Sequence, residues 1–294
     1  MHPTLYQISG SFGIHTYGLM ILLGLLGAFV FSSICANKVG IDTDELPLMY
    51  LLVAIAGVLG ARLFYFFFSA TEVFFSNPMV FFDFSQGGLV FYGGAIGGVL
   101  TGVVYCLLKG IPVLKLADIA APAIMIGLSL GRVGCFFAGC CHGAEVEHEV
   151  SSQLLSFQGG EVVTVDGGPV MALVFFENIG VGSIFNAPTY PTQVWESSGA
   201  FLLVLSLFWM WKKLRKFDGQ ILVTMMIFYA ILRSSIEQYR GDSIRGEEVM
   251  GVLSTSQSIS VITTTLAVLM GIIFWKRGFA PEEPFVRDEE ELYY

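Results

Sequence analysis

Charge is scarce in this chain. Only 13% of its 294 residues are Asp, Glu, Lys or Arg, about half of what a soluble globular domain carries. That scarcity excludes an ordinary water-soluble domain built around one dry core. No basic patch is large enough to hold nucleic acid, and the net charge of -9 comes mostly from loops and the tail DEEELYY. The start, MHPTLYQISGSFGI, lacks a basic region followed by a small-residue cleavage site, so no cleaved signal peptide is expected. No internal repeat is evident, which argues against a transporter built from duplicated halves. What the chain has instead is apolar length: 54% of its residues are hydrophobic and the mean hydropathy is +0.71.

Runs of about 20 apolar residues can cross a bilayer. Seven such runs fit, at roughly 15–36, 46–69, 88–109, 117–138, 194–212, 219–236 and 256–275. The expectation is an all-α integral membrane protein with seven transmembrane helices, forming a single membrane domain over 1–294. The one long connection, 139–192, lies between spans 4 and 5. It is Gly-rich and acidic and carries alternating pieces such as Glu161-Val-Val-Thr-Val, so a small β-rich extramembrane insertion is expected there.

Lysine and arginine set the orientation. Alternate connections hold Lys38; Lys109 and Lys115; Lys212, Lys213, Arg215 and Lys216; and Lys276, Arg277 and Arg287. The opposite side holds Arg240 and Arg245, and 139–192 has no Lys or Arg. The basic side is therefore expected in the cytoplasm, with the acidic tail 277–294. The N-terminus and the insertion are expected outside.

Three arginines fall within spans: Arg62, Arg132 and Arg233. An arginine at mid-helix costs roughly 2.5–3.5 kcal/mol on insertion scales, so it marks a site or a buried pair. Arg132 lies about 15 residues, roughly 23 Å, along an outward-running span. Arg62 and Arg233 also fall in outer halves, and Glu196 begins span 5 on the outer side. Buried charge is thus expected to converge near the outer leaflet.

Span 6 carries FYAILRSSIEQYRGD, which puts Tyr229, Arg233 and Glu237 on one helix face. That face reads as an anion clamp with its own counter-ion, or as a pair that neutralises itself for insertion. Arg132 has no acid within one turn, which leaves its charge for a ligand. Arg62 reads either as a ligand contact or as a partner for Glu196 or Glu237. GGLVFYGGAIGG, residues 87–98, combines glycine pairs with Tyr92. Glycines there serve close helix packing or close approach of a lipid head group. PTQVWES, residues 191–197, opens span 5 and sets Gln193 and Glu196 in the same outer zone.

The end of span 4 reads GRVGCFFAGCCHG. Cys135, Cys140, Cys141 and His142 leave several readings open. Thiol and imidazole ligate zinc or copper, although the spacing matches no strong zinc pattern. Two cysteines facing an oxidising compartment form a disulfide. A thiolate beside Arg132 is an activated nucleophile. Otherwise the cysteines simply pack and end the helix. Cys35 and Cys106 stand alone near the inner side and read as packing residues.

Taken together, these stretches resemble the prolipoprotein diacylglyceryl transferase family over most of the chain. TYGLM (16–20) and GARLFY (60–65) look like its first two spans. GGLVFYGG resembles its GG-x-x-F-H-G-G. GRVGCFFAGCCHG resembles its signature G-R-x-G-N-F-x-N-x-E-x-x-G. YPTQVWES is similar to [HY]-P-[ST]-Q-L-Y-E, and RSSIEQYRGD to R-F-x-x-E-F-x-R-x-D. The resemblance implies an enzyme that moves the diacylglyceryl group of phosphatidylglycerol onto the thiol of a lipobox cysteine in a prolipoprotein, releasing glycerol phosphate. It implies the outer face of the bacterial inner membrane, no cofactor, and a monomer.

Carried over by position, the resemblance gives Arg132, Arg233, Tyr92, Glu237 and Tyr229 as catalytic candidates. Arg132, Tyr17, Arg62, Gly93, Gly94, Gly143, Gln193, Glu196 and Arg240 become candidates for binding substrate. The chain also departs from the pattern. Tyr92 stands where the family has histidine, Cys135 and Ala138 replace its asparagines, and Cys140 replaces its glutamate. Tyr92 or His142 is then the expected replacement for the base. Two alternatives follow: a same-fold lipid-group transferase with another acceptor, assisted by a Cys/His-bound metal, or a non-catalytic lipid- or thiol-binding membrane protein.

Overall fold

The computed structural model describes residues 4–9, 12–82, 88–157, 160–167, 171–175, 187–240 and 255–277. Arg245, Arg287 and the tail beyond residue 277 lie outside the described residues. Seven of the described helices are long and apolar enough to cross a membrane. They are α1 (Thr16–Lys38), α2 (Leu46–Phe68), α4 (Phe91–Lys109), α5 (Val113–Ala138), α6 (Thr192–Lys213), α7 (Gln220–Glu237) and α8 (Thr255–Arg277), with a short α3 (Thr71–Ser76) after α2. Their ends fall within about four residues of the hydropathy reading. The protein is an all-α multi-pass membrane protein with a small β insertion between the fourth and fifth spans. Many leucines, isoleucines and phenylalanines on these helices are exposed, as lipid-facing side chains should be.

The chain divides into two compact units. One is Ser32–Leu116. Its centre is the seam between α2 and α4, where small residues let the backbones touch. A Cβ on Gly97 would lie 2.6 Å from the Ala56 carbonyl oxygen, and one on Gly93 would lie 2.6 Å from Phe64 Cβ. Gly94 meets the carbonyl of Gly57 on the same seam. Gly97 therefore serves helix packing, as the plainer reading expected of it, and Gly93 and Gly94 lie on the same seam.

Arg62 is buried in this unit at 2% exposure. Its guanidinium donates to the carbonyls of Val80 (2.9 Å), Phe81 (3.1 Å) and Gly88 (3.1 Å) and lies over the Phe66 ring. Gly88 has φ +81°, and a Cβ there would come within 2.7 Å of Arg62 Nη1. Only glycine allows the chain to wrap this cation so tightly. At the other end of the unit, Glu45 accepts from Tyr105 (2.5 Å) and Lys109 (2.9 Å).

The other unit is Met1–Phe31 with Ala117–Tyr294. It opens with an antiparallel hairpin, β1 (Thr4–Ser9) and β2 (Phe12–His15), which the hydropathy reading did not anticipate. Within this unit α1 lies against α5 at glycines: a Cβ on Gly24 would sit 3.2 Å from Gly127 Cα, and one on Gly134 would sit 3.1 Å from Tyr17 Cδ2. Ser129 and Ser197 join α5 to α6 by exchanging hydroxyl-to-carbonyl bonds, 3.0 Å each way. Helices α6 and α8 both pack on α7.

The start of α7 has no side-chain cap of its own, because Gly219 precedes it. Asp118 of α5 supplies one. Its carboxylate accepts from the amides of Gly219 (2.9 Å), Ile221 (2.9 Å) and Leu222 (3.1 Å) and pairs with Arg215 at 3.2 Å. A negative group at a helix N-terminus satisfies orphan donors and meets the positive end of the dipole. Asp118 is fully buried and lies near the opposite end of α5 from Arg132, so buried charge is not gathered at one end of the spans, contrary to expectation.

The insertion holds a four-stranded antiparallel sheet, β3 (Val150–Phe157), β4 (Gly160–Val165), β5 (Ala172–Phe175) and β6 (Pro188–Thr189), paired in that order. Val146, Val163, Val165, Ala172 and Val174 form its small core, with Tyr190 against it.

Candidate active site

Three helices bring the buried charges of the second unit together. Arg132 comes from α5, Glu196 from the first turns of α6, and Tyr229 from α7. Glu196 has no exposed surface. Its Oε2 lies 3.0 Å from Arg132 Nε, and its Oε1 accepts both from Arg132 Nη2 (3.1 Å) and from the Tyr229 hydroxyl (3.1 Å). One carboxylate thus orients a guanidinium along its edge and a phenol at the same time. Arg132 has no acid within one turn of sequence; its acid is Glu196, brought from another helix. Its Nη1 has no hydrogen-bond partner among the described residues.

One turn beyond Tyr229, Arg233 Nη1 meets Glu237 Oε2 at 2.5 Å. The i, i+4 pair expected from the sequence forms. Arg240 follows on the same chain, its amide bonded to the Glu237 carbonyl at 3.1 Å. Arg62 has its carbonyl cage in the other unit, while Glu196 and Glu237 bond Arg132 and Arg233.

Gly143 sits where the insertion begins. Its amide donates to the Tyr190 carbonyl at 2.8 Å. A Cβ here would lie 2.5 Å from Tyr190 Cβ and 3.0 Å from Thr192 Cγ2, and would also strike the Tyr239 carbonyl. The close approach lets Ala144 bond Tyr239 (2.9 Å) and Tyr190 bond Ala144 (3.0 Å), tying the end of α7 to the start of α6. Tyr190, Trp195 and Tyr239 pack ring against ring there, with centroids 5.2 to 5.9 Å apart. This aromatic group was not read from the sequence, since its members lie in two separate motifs.

The first turn of α6 also grips the cysteine segment. Thr192 Oγ1 donates to the Cys141 carbonyl and Gln193 Nε2 to the Cys140 carbonyl, each at 2.9 Å. Gln193 is 1% exposed. His142 is buried, its Nδ1 3.0 Å from the Gly143 carbonyl. The sulfurs of Cys135, Cys140 and Cys141 gather within 4.8 Å of one another, and all five cysteines of the chain are unbridged. Hydrogen bonds from the Cys135 and Cys140 thiols hold Cys141 well below the usual thiol range, helped by the charges of Arg132 and Arg240. Cys140 is pushed up, because it shares its proton with Cys135 and Cys141.

Tyr17 starts α1 and is 44% exposed, level with Gly134 of α5. Tyr92 starts α4 in the other unit and is equally exposed. The residues that sequence reasoning passed over are Asp118, Ser129, Ser197, Trp195 and Tyr239. An acid inside the apolar run of α5 was a visible signal for Asp118; nothing local marked the others.

The arrangement can hold an anion beside a preorganised guanidinium, next to a half-buried tyrosine and a buried carboxylate. Similarity to known proteins points the same way. A family described as prolipoprotein diacylglyceryl transferase matches residues 3–275. A Clostridium tetani (strain Massachusetts / E88) protein named phosphatidylglycerol–prolipoprotein diacylglyceryl transferase is 31% identical over 270 residues, covering 92% of this chain and 96% of its own. A Clostridium perfringens (strain 13 / Type A) protein of that name, numbered 2, is 34% identical over 258 residues, with 87% and 90% covered. One from Bacillus cytotoxicus is 29% identical over 272 residues, 92% of each chain. A likeness that runs through both units and through every stretch supplying Arg132, Glu196 and Arg233 is not local to a motif, and by it the chain belongs to the prolipoprotein diacylglyceryl transferase family.

Proposed function

We propose that this chain transfers the diacylglyceryl group of phosphatidylglycerol to the cysteine thiol of a prolipoprotein lipobox. Family membership over nearly the whole chain supports the reaction. The single observation that supports its location is Arg132, fixed along one edge by Glu196 with Nη1 left over for an anion.

In the reaction the thiol sulfur attacks the glyceryl carbon that bears the phosphate. A carbon–sulfur bond forms, the carbon–oxygen bond breaks, and glycerol phosphate leaves with the bonding pair. Negative charge grows on the departing phosphate, so a guanidinium already in place stabilises the transition state more than the ground state. Arg132 and Arg233 are the proposed phosphate partners, with Arg240, Gly143, Gln193 and Tyr17 contributing to the walls. The incoming thiol must give up its proton. Tyr229 through Glu196, or Glu237, are the proposed acceptors. The protein acts as a monomer at the outer face of the bacterial cytoplasmic membrane, its N-terminus outside and its basic loops inside, without nucleic acid.

The test is complementation of cells depleted of their own diacylglyceryl transferase, following prolipoprotein modification by gel shift. Wild type restores the shift; Arg132→Lys and Arg132→Ala do not. A well-expressed wild type that restores nothing removes the prolipoprotein acceptor.

A further inference from the structure

The transferase reading leaves the three cysteines unused. Cys135 ends the buried face of α5, and Cys140 and Cys141 follow its C-terminus. In an extended chain successive side chains point to opposite faces, so adjacent cysteines do not normally converge. Here they do, because Cys141 has φ +63°, the left-handed conformation that an L residue adopts only when its surroundings hold it there. That backbone is held by buried groups. Thr192 and Gln193, each 1% exposed, donate to the carbonyls of Cys141 and Cys140, and the Cys140 amide donates to the Cys135 carbonyl at 3.1 Å. Gln193 Oε1 is buried on the same amide, with no partner among the described residues.

We propose that Cys135, Cys140 and Cys141 form a three-thiolate site for a thiophilic d10 cation, Zn(II) or Cu(I). With metal–sulfur bonds of about 2.3 Å, three sulfurs around one ion stand about 4 Å from each other. The three sulfurs already lie within 4.8 Å, so an ion needs only a small contraction. Binding forms three metal–sulfur bonds and releases the thiol protons to water; no electron is transferred. Three thiolates with Zn(II) or Cu(I) carry net negative charge, and the two arginines that act on Cys141, Arg132 and Arg240, offset it. Soft sulfur ligands without carboxylate favour these ions over magnesium, calcium or manganese. A disulfide is a weaker account: it uses two of the three thiols and leaves the clamp on the third unexplained. The bonds from Thr192 and Gln193 orient the ligands as outer-shell partners do in known metal sites. The cluster shares Arg132, Arg240 and Gln193 with the proposed lipid site, but its test reads bound metal and not transfer, so it stands or falls separately from the transferase reading.

The full chain, purified in detergent, reduced with a phosphine and stripped with a chelator, is titrated with Zn(II) and, anaerobically, with Cu(I). A chromophoric chelator competes, and bound metal is counted by elemental mass spectrometry. The expected result is one ion per chain for at least one of the two metals, kept in a Cys35→Ala/Cys106→Ala variant. Cys135→Ser, Cys140→Ser and Cys141→Ser each abolish it, and Thr192→Ala or Gln193→Ala weakens it by roughly 10–100-fold. Cd(II) as a probe gives a sulfur-to-metal charge-transfer band that the serine variants lose. Wild-type protein that binds neither ion stoichiometrically overturns the proposal, whatever the variants do. So does binding that survives loss of these three cysteines, or an intact mass showing that two of them are joined in a disulfide that resists the phosphine.

Discussion

Arg132 and Glu196 stand 64 residues apart in sequence and meet at two points, 3.0 and 3.1 Å, with Tyr229 on the same carboxylate. Removing Glu196 leaves a half-buried guanidinium uncompensated, toward the lower end of the roughly 3–5 kcal/mol that breaking a buried pair costs. Glu196→Ala should therefore lower the thermal midpoint in detergent sharply and abolish diacylglyceryl transfer. Glu196→Gln keeps an acceptor for Tyr229 and should melt between the two, still with little transfer. A Glu196→Ala protein that melts like wild type would show that the pair carries no stability.

Asp118 makes a different prediction, because it acts on α7 and not on chemistry. Asp118→Ala strands three amide donors and leaves Arg215 with Asp218 as its acid. Each buried donor left unmade costs roughly 1–3 kcal/mol. The melting temperature should fall while the transfer rate per folded molecule stays near wild type. Equal loss of rate and stability would place Asp118 in the catalytic machinery instead.

Gly143→Ala puts a methyl group against Tyr190, Thr192 and the Tyr239 carbonyl. The backbone must shift there, and the shift loosens the Tyr190–Ala144–Tyr239 ladder. Transfer should drop by an order of magnitude or more, because misplacement of about 1 Å near a site can cost 10²-fold. A Gly143→Ala enzyme of normal rate would disconnect that ladder from the site.

The cysteine cluster predicts a pH optimum of stability in the reduced, metal-free chain. Cys141 is depressed when folded, so its contribution is lost as pH falls and is fully present above the unfolded thiol value of about 8.5. Cys140 is raised, so its contribution is present below that value and declines above it. Stability from the cluster should peak near the ordinary thiol pKa. Melting curves across pH, compared with a Cys140→Ser/Cys141→Ser variant, test this; identical profiles would mean no linkage.

The spans were readable because a bilayer demands long apolar runs and punishes charge within them, and the arginines stood out for the same reason. Arg233 and Glu237 were readable as a pair because helix periodicity places them one turn apart. Arg132 and Glu196 were each visible but not their union, since no local rule links residues on different helices. Arg62 reads from the sequence as a ligand contact or as a partner for a side-chain acid, whereas backbone carbonyls of Val80, Phe81 and Gly88 surround it. Carbonyls belong to every residue and leave no mark in a sequence; only Gly88, whose φ is +81°, betrayed the wrap. The β1–β2 hairpin was missed because its few residues are too short a run to alternate visibly beside a span of 23 residues.

The seam between α2 and α4 has a consequence for traffic. Where a single methyl group on Gly97 or Gly93 finds no room, a hydrocarbon tail finds none either. That junction is a closed wall to lipid, and a diacyl substrate sliding sideways out of the membrane must take a doorway between other helices.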